Sequence, residues 1–465
     1  MPKHFVTLQL AIVLLILQSP RLALGEPSVG VYYYPWYGSF SGGHRVDQSL
    51  RGHLDPPQPP AIGDYSNRDA ATISAHIDQS HQGNVDFWAV SWWGPTSAEN
   101  ITFRDSILAH PRRAELEYAV HYESTGRLGT FENPSFHNLI PDFRYLADNY
   151  FDDPNYLRID DRPVVFMYVT RAYFNSQASR DAVSELRSTM IAEFGVDPYI
   201  VGDDLFGGGV DLQRAQLWDA ITDFDVYGTV LQGGGSTAAA LSELAGVYDD
   251  AREAIADLDV GFIPGASPGF NDKGVRDGHP AAPRYLVDDP NATEGGLFAK
   301  MLNEVVVPRT DPRANHILMI NSFNEWHEDT QIEPTIVAAR TNIDDSGSQY
   351  YSEGHFYEGY GNLYLDILRA ATIIPGDYSG NGAVDAADYT IWRDSVGQTG
   401  LGRIADGNHD AVVNQLDHGV WFANFGTSTS GSSSSYFIPE PTTLVLLALA
   451  SLFFGIERFR WHFAV

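Results

Sequence analysis

Eight short runs of aromatic and β-branched residues punctuate this chain, each followed by polar residues and a helix-like stretch. They are "VGVYYYPWYG" from Val29, "VDFWAVSWWG" from Val85, "LEYAVHYES" from Leu116 and "RPVVFMYVT" from Arg162. "PYIVGDD" from Pro198, "AITDFDVYG" from Ala220, "VGFIPGASPGF" from Val260 and "HILMINSFNEW" from His316 complete the series. The runs are near-continuously apolar rather than alternating, the pattern of parallel strands buried on both faces. Between them lie stretches such as "RDAATISAHIDQS" and "SRDAVSELRSTMIAEFG". Eight alternating units over roughly 350 residues predict an α/β chain folded as a (β/α)8 TIM barrel with long loops. A doubly wound open sheet is the alternative, but no glycine-rich phosphate turn favours it.

The ends of the runs are polar or aromatic: Trp36 and Tyr37, Trp92 and Trp93, His121 to Glu123, Tyr168, Asp203 and Asp204, Asp225, Tyr227, Asn324 and Glu325. The C-terminal mouth of such a barrel holds its active site. Aromatic rings stack on the C–H faces of sugars while polar groups meet their hydroxyls, so this lining suits a carbohydrate. A formal net charge of −31 opposes nucleic acid and anionic membrane surfaces as partners. Cysteine is absent, which removes disulfides, thiol nucleophiles and cysteine zinc sites.

The last run leads into "SFNEWHEDTQIEP", with Glu325 and Glu328 three residues apart beside Trp326 and His327. On a strand, residues three apart point to opposite faces; on a helical turn they share one. The strand is therefore expected to end near Phe323, and the segment to curl so that both carboxylates face the barrel mouth. Two close carboxylates resist ionising together, so one pKa is expected to rise and the other to fall. One acid and one base at neutral pH are what cleavage of a glycosidic bond requires. The bland alternative is a helix start that favours acidic residues.

After Pro375 the composition changes. "DYSGNGAVDAADYTIWRDSVG" and "DGNHDAVVNQLDHGVWFANFG" are an internal duplicate. Asp377, Ser379, Asn381, Asp385 and Asp388 occupy loop positions one, three, five, nine and twelve. Asp406, Asn408, Asp410, Asn414 and Asp417 do the same in the second copy. Oxygen donors at that spacing wrap a hard cation such as Ca²⁺. The pair resembles a type I dockerin, a small α-helical calcium-loop module, which would imply structural Ca²⁺ and a cohesin-like partner. Gly382 stands at position six of the first loop and Ala411 at that of the second.

Both termini read as address labels. Residues 1–25 have a basic start, a short apolar stretch and small residues near Gly25, as in a secretory signal peptide. The expected organisation is a barrel over 27–373, the dockerin-like module over 374–427 and a serine-rich linker over 428–438. The final segment, 439–465, runs from Pro439-Glu440-Pro441 through an apolar stretch to Arg458 and Arg460. That order resembles a PEP-CTERM sorting signal, which implies recognition by an exosortase-type enzyme. The protein is then expected at the surface or in the matrix of a Gram-negative-type bacterium, with transient membrane anchoring through this segment.

"YYYPWYG", "GDYSNRDAATISAHI", "VSWWGP", "HYES", "YLRIDDRPVVFMY", "PGASPGFND" and "SFNEWHEDTQIEP" occur in that order. Together they resemble the endo-α-mannosidase family, glycoside hydrolase family 99, over roughly residues 29 to 370. The resemblance implies a (β/α)8 barrel, retaining endo-cleavage of α-mannosidic linkages and no catalytic metal. It also implies that Glu325 deprotonates the sugar's own 2-hydroxyl to form a 1,2-anhydro sugar, while Glu328 protonates the leaving oxygen and later activates water. Tyr34, Trp36, Tyr37, Trp93, His121, Glu123, Tyr168, Asn324 and Gln331 are the implied sugar contacts. Asp329 stands where the family usually has glycine, "HYES" replaces "HIEP", and the loop after "WYG" lacks the usual His-Trp elements. Two other readings compete: a non-catalytic glycan-binding or matrix protein, and the same chemistry on another α-glycan.

Overall fold

The structure is a computed structural model, and its described residues run from 27 to 428 apart from 207–208, 233 and 277. The expected signal peptide and the C-terminal sorting segment lie outside them. The eight expected strands are present: β1 Ser28–Tyr33, β2 Phe87–Trp92, β3 Glu117–Tyr122, β4 Arg162–Met167, β5 Tyr199–Asp203, β6 Ala220–Thr222, β7 Gly261–Ala266 and β8 Ile317–Ile320. Each pairs in parallel with its sequence neighbours, and β1 pairs with β8. Pro264 divides β7: Gly261–Ile263 pairs with β6, and Gly265–Ala266 pairs with β8. Through this split strand the sheet returns on itself as a barrel.

Helices α1 Ala70–Gln82, α2 Ala98–Thr102, α3 Leu139–Leu146, α4 Gln177–Phe194, α5 Leu212–Ala215, α6 Ala238–Ala254, α7 Gly296–Lys300 and α8 Leu363–Thr372 follow the strands in turn. Local signals set their ends. A reciprocal pair of side-chain bonds between Ser176 and Ser179 starts α4, and Gly195, left-handed at φ 67°, stops it.

Side chains alternate across each strand, and this period of two decides what faces where. Val29, Val31 and Tyr33 of β1 join the shell between strands and helices, as do Trp88, Val90 and Trp92 of β2. Tyr32, Phe87, Ala89, Ala119 and Phe166 fill the barrel's interior. The filling leaves no room for a Cβ at Gly30, which would lie 2.2 Å from the Phe87 ring. Continued upward, the interior register brings Tyr34, Trp93, Glu123 and Tyr168 to the barrel's mouth.

Two further strands, β9 Val337–Thr341 and β10 Tyr357–Tyr360, form an antiparallel pair after the barrel. Residues 374–427 then build two loop–helix units, with α9 Ala386–Ser395 and α10 Gln415–Asn424. The duplication is visible in the bonding. Asp377 accepts the backbone N–H groups of Gly380, Asn381 and Gly382; Asp406 accepts those of Asp410 and Ala411. Asp388 accepts from Ser379 and Asp385, and Asp417 from Asn408 and Asn414. The Trp392 indole donates to the Asn414 carbonyl and Trp421 to that of Asp385, both at 2.8 Å, so each unit seals the other. Gly382 and Ala411 both adopt left-handed backbone, φ 80° and 65°, so Ala411 carries the strain glycine avoids. Among the described residues no three His, Asp or Glu side chains group as a metal site, and none of their helices is long and apolar enough to cross a membrane.

Candidate active site

The chain leaves β8 at Ile320, three residues earlier than the sequence led us to expect, and folds into a tight loop. Ser322 pins it: its N–H donates to the Thr330 carbonyl, and its hydroxyl oxygen accepts the Glu325 N–H, both at 2.8 Å. Trp326–Glu328 make a single 3-10 turn, and the Glu325 carboxylate caps it by accepting the His327 N–H at 2.9 Å. Asp329 ends the turn in left-handed backbone, φ 51°. This short turn sets Glu325 and Glu328 along one cavity of about 620 Å³.

Tyr34, Trp36, Trp93, Glu123 and Tyr168 also line that cavity. Four expected sugar contacts lie beneath it instead. The Asn324 side chain is spent on the backbone N–H and carbonyl of Tyr34. The Tyr37 hydroxyl donates to Glu325 at 3.3 Å and accepts the Trp326 N–H at 3.0 Å. Gln331 sits between Asp329 and Tyr360, and His121 is packed face to face with Phe224. Sequence reasoning passed over His44, Gln48, Glu99, Phe224, Arg276 and His327, which complete much of the wall. Gln48, Glu99 and His327 come from short helical turns and the others from loops, where neither period nor propensity signals a shared surface.

Burial pushes the Glu325 carboxyl well above the ordinary range, and the Glu328 charge adds to this. Burial also raises Glu328, but Arg276 opposes it through a direct ion pair. The expectation that one pKa would rise and the other fall is therefore corrected: both rise, because both groups leave water and Arg276 only moderates Glu328. A third carboxyl, Glu123, is pushed up to about 8 by burial, with the Glu328 and Glu99 charges contributing. It accepts a hydrogen bond from Ser91 at 2.7 Å, and Ser91 in turn accepts one from the Trp93 indole. Burial lowers His327 to about 4, so its ring is neutral at neutral pH.

Beneath the turn lies a buried charge cluster. Asp329 meets the Arg51 Nε at 2.6 Å and the Arg284 Nε at 3.2 Å, and Arg51 also faces Glu294 at 3.6 Å. All four side chains are at most 5% exposed. On the turn's other side, the Trp326 indole donates to the fully buried Glu333 at 2.8 Å, which also accepts from Tyr65.

Residues 44–360 match the profile of glycosyl hydrolase family 99. The chain belongs to that family. Both glutamates fall inside the match, whereas Tyr34, Trp36 and Tyr37 precede it. Among curated relatives of this family 99 chain is the glycoprotein endo-alpha-1,2-mannosidase of Xenopus laevis, 24% identical over 373 residues, covering 73% of this chain and 75% of the relative. That of Rattus norvegicus is 24% identical over 368 residues, covering 73% of each. The family 99 endo-alpha-mannosidase of Bacteroides thetaiotaomicron, solved with bis-tris-propane, superposes with a TM-score of 0.51. It is 20% identical and covers 74% of this chain and 98% of its own, which shows the shared fold. This family 99 protein is an endo-alpha-mannosidase-like glycoside hydrolase.

Proposed function

We propose that this chain is an exported, retaining, endo-acting hydrolase of α-mannosidic linkages, in mannan-type polysaccharide or N-glycan-like oligosaccharide. The observation that carries the reading is the single turn that presents Glu325 and Glu328 to one aromatic-walled cavity. In the proposed first step Glu325 takes the proton of the sugar's 2-hydroxyl. That oxygen bonds to the anomeric carbon as the glycosidic C–O bond breaks, and Glu328 gives its proton to the leaving oxygen. Water then opens the 1,2-anhydro sugar: Glu328 takes a proton from the water, and Glu325 returns its proton to the 2-oxygen. Burial makes the Glu325 carboxylate, once its proton has left, a strong base toward a hydroxyl. The curated relatives are named as endo-alpha-1,2-mannosidases, which favours an α-mannoside substrate.

The duplicated loops are read as Ca²⁺ sites with mixed oxygen donors. The four buried aspartates Asp377, Asp388, Asp406 and Asp417, each drawing loop N–H groups inward, support that reading. Ser379, Asn381, Asp385, Asn408, Asp410 and Asn414 would supply the remaining donors. Export, exosortase recognition and a cohesin-like partner rest on the sequence motifs alone.

The test is incubation of the purified protein with a panel of α-mannans and α-glucans, with product sizing and anomer assignment. Oligosaccharide products of retained configuration are expected from α-mannan. Glu325→Gln and Glu328→Gln should each lower turnover by about 10²-fold or more while the melting temperature holds. Full activity in either variant would remove the proposal.

A further inference from the structure

Arg276 is the one arginine or lysine whose ion pair, among the described residues, falls on either catalytic glutamate; His327, 3.7 Å from Glu325, is held neutral by burial. Its guanidinium pairs with Glu328 and, through Nε, with Asp272 at 3.0 Å. The pairing conflicts with the role proposed for Glu328. A general acid must hold a proton when substrate is bound, and a guanidinium in contact favours the ionised form. The resting arrangement thus steers the pair's shared proton to Glu325, which must start the reaction without one.

Three observations show how the conflict resolves. The Arg276 side chain is 51% exposed, so packing does not enclose it. It also lines the catalytic cavity on the Glu328 side, where the leaving-group sugar has to sit. Finally, Asp272 is fully buried, and its Oδ1 has no hydrogen-bond partner among the described residues, while Oδ2 already meets Arg276 and His279. A guanidinium leaving Glu328 would find a second carboxylate oxygen waiting, in the forked geometry arginine favours.

We infer that Arg276 is a two-position residue that favours the ionised form of Glu328 in the free enzyme and is displaced onto Asp272 by the sugar on the leaving-group side. Acid catalysis is thereby coupled to occupancy of that side, as suits an enzyme that cuts within a chain. The inference rests on the proposed acid role of Glu328. Other charges face Glu328 too: Asp225 from the loop after β6, Tyr227 from the helix Val226–Gln232, Glu325 on its own turn, and Glu123 at the end of β3. Tyr34 and Tyr168 stand across the cavity. None of these is a cation, so Arg276 alone supplies the opposing charge in this set.

The test follows the alkaline limbs of kcat/KM and of kcat on an α-mannan oligosaccharide, for the parent, Arg276→Met and Arg276→Lys. The kcat/KM limb reports the free enzyme and the kcat limb the complex. In Arg276→Met the kcat/KM limb should move up by about one pH unit, the lower end of what a contacting arginine does to a carboxylate. The kcat limb should stay, because Arg276 has already left Glu328 in the complex. Arg276→Lys should restore most of the parental kcat/KM limb. A kcat/KM limb that does not move overturns the inference. Equal movement of both limbs overturns it as well, since Arg276 would then remain on Glu328 throughout. Glu328→Gln separates the two levels: an active Glu328→Gln removes the acid assignment itself, whereas an inactive one with unmoved Arg276→Met limbs removes only the switch.

Discussion

Asp329→Asn is expected to destabilise the protein by about 3 kcal/mol, the low end of the cost of breaking a buried ion pair. The structure sets the size. Asp329, Arg51 and Arg284 are at most 1% exposed, so neither arginine can turn to water once the carboxylate is gone. Glu294 stays 3.6 Å from Arg51 and an asparagine oxygen can still accept one hydrogen bond, which keeps the cost from the top of the range. Unfolding entropy of about 2.1 cal/mol/K per residue, over roughly 350 residues, converts this loss to a fall in melting temperature of about 4 °C. Differential scanning calorimetry at neutral pH reads it directly. The pH dependence has a definite sign. Burial alone would raise the Asp329 carboxyl, but Arg284 and Arg51 more than offset it and hold it below the ordinary range. Its contribution is complete above the unfolded carboxylate pKa of about 3.9 and disappears as pH falls through the lower folded value. The gap between parent and Asp329→Asn should therefore close in acid. A melting temperature within 1 °C of the parent at neutral pH, a shift of under about 1 kcal/mol, would refute the reasoning.

Tyr37→Phe should reduce kcat about tenfold with little change in KM, since its hydroxyl orients Glu325 and the Trp326 N–H from below the cavity; a rise in KM alone would mark it as a sugar contact instead. Glu123 has a folded pKa of about 8, far above the unfolded value near 4.3, so the parent loses stability as pH climbs between the two. Glu123→Gln should escape that loss, and its melting advantage over the parent should grow from pH 5 to pH 8; a constant difference would contradict the burial argument. Chelation of Ca²⁺ should lower the melting transition of residues 374–427, and Asp388→Ala should abolish that response. A chelator-insensitive melt of the parent would exclude calcium from the loops.

The eight strands were legible because parallel strands buried on both faces read as unbroken apolar runs, and each run identified from the sequence holds a barrel strand. The glutamate pair was legible because only a turn lets residues three apart share a face. Less visible was which of the nearby polar residues would meet the cavity. Asn324 and Gln331 adjoin the glutamates in sequence yet serve the scaffold, holding Tyr34 and bracing Asp329. Asp329 itself, which stands where the family usually has glycine, points away from the cavity into two arginines.

Strand order, mouth and the turn that carries the two glutamates were thus settled by local pattern, since period and turn chemistry act between residues close in the chain. The protonation balance was not. Arg51, on a single helical turn, and Arg276 and Arg284, on loops, lie tens to hundreds of residues from Asp329 and Glu328, which they meet. Coulombic and desolvation effects depend on distance and burial in space, so only the folded barrel could decide that Glu325 and Glu328 are both raised and that an arginine stands on Glu328.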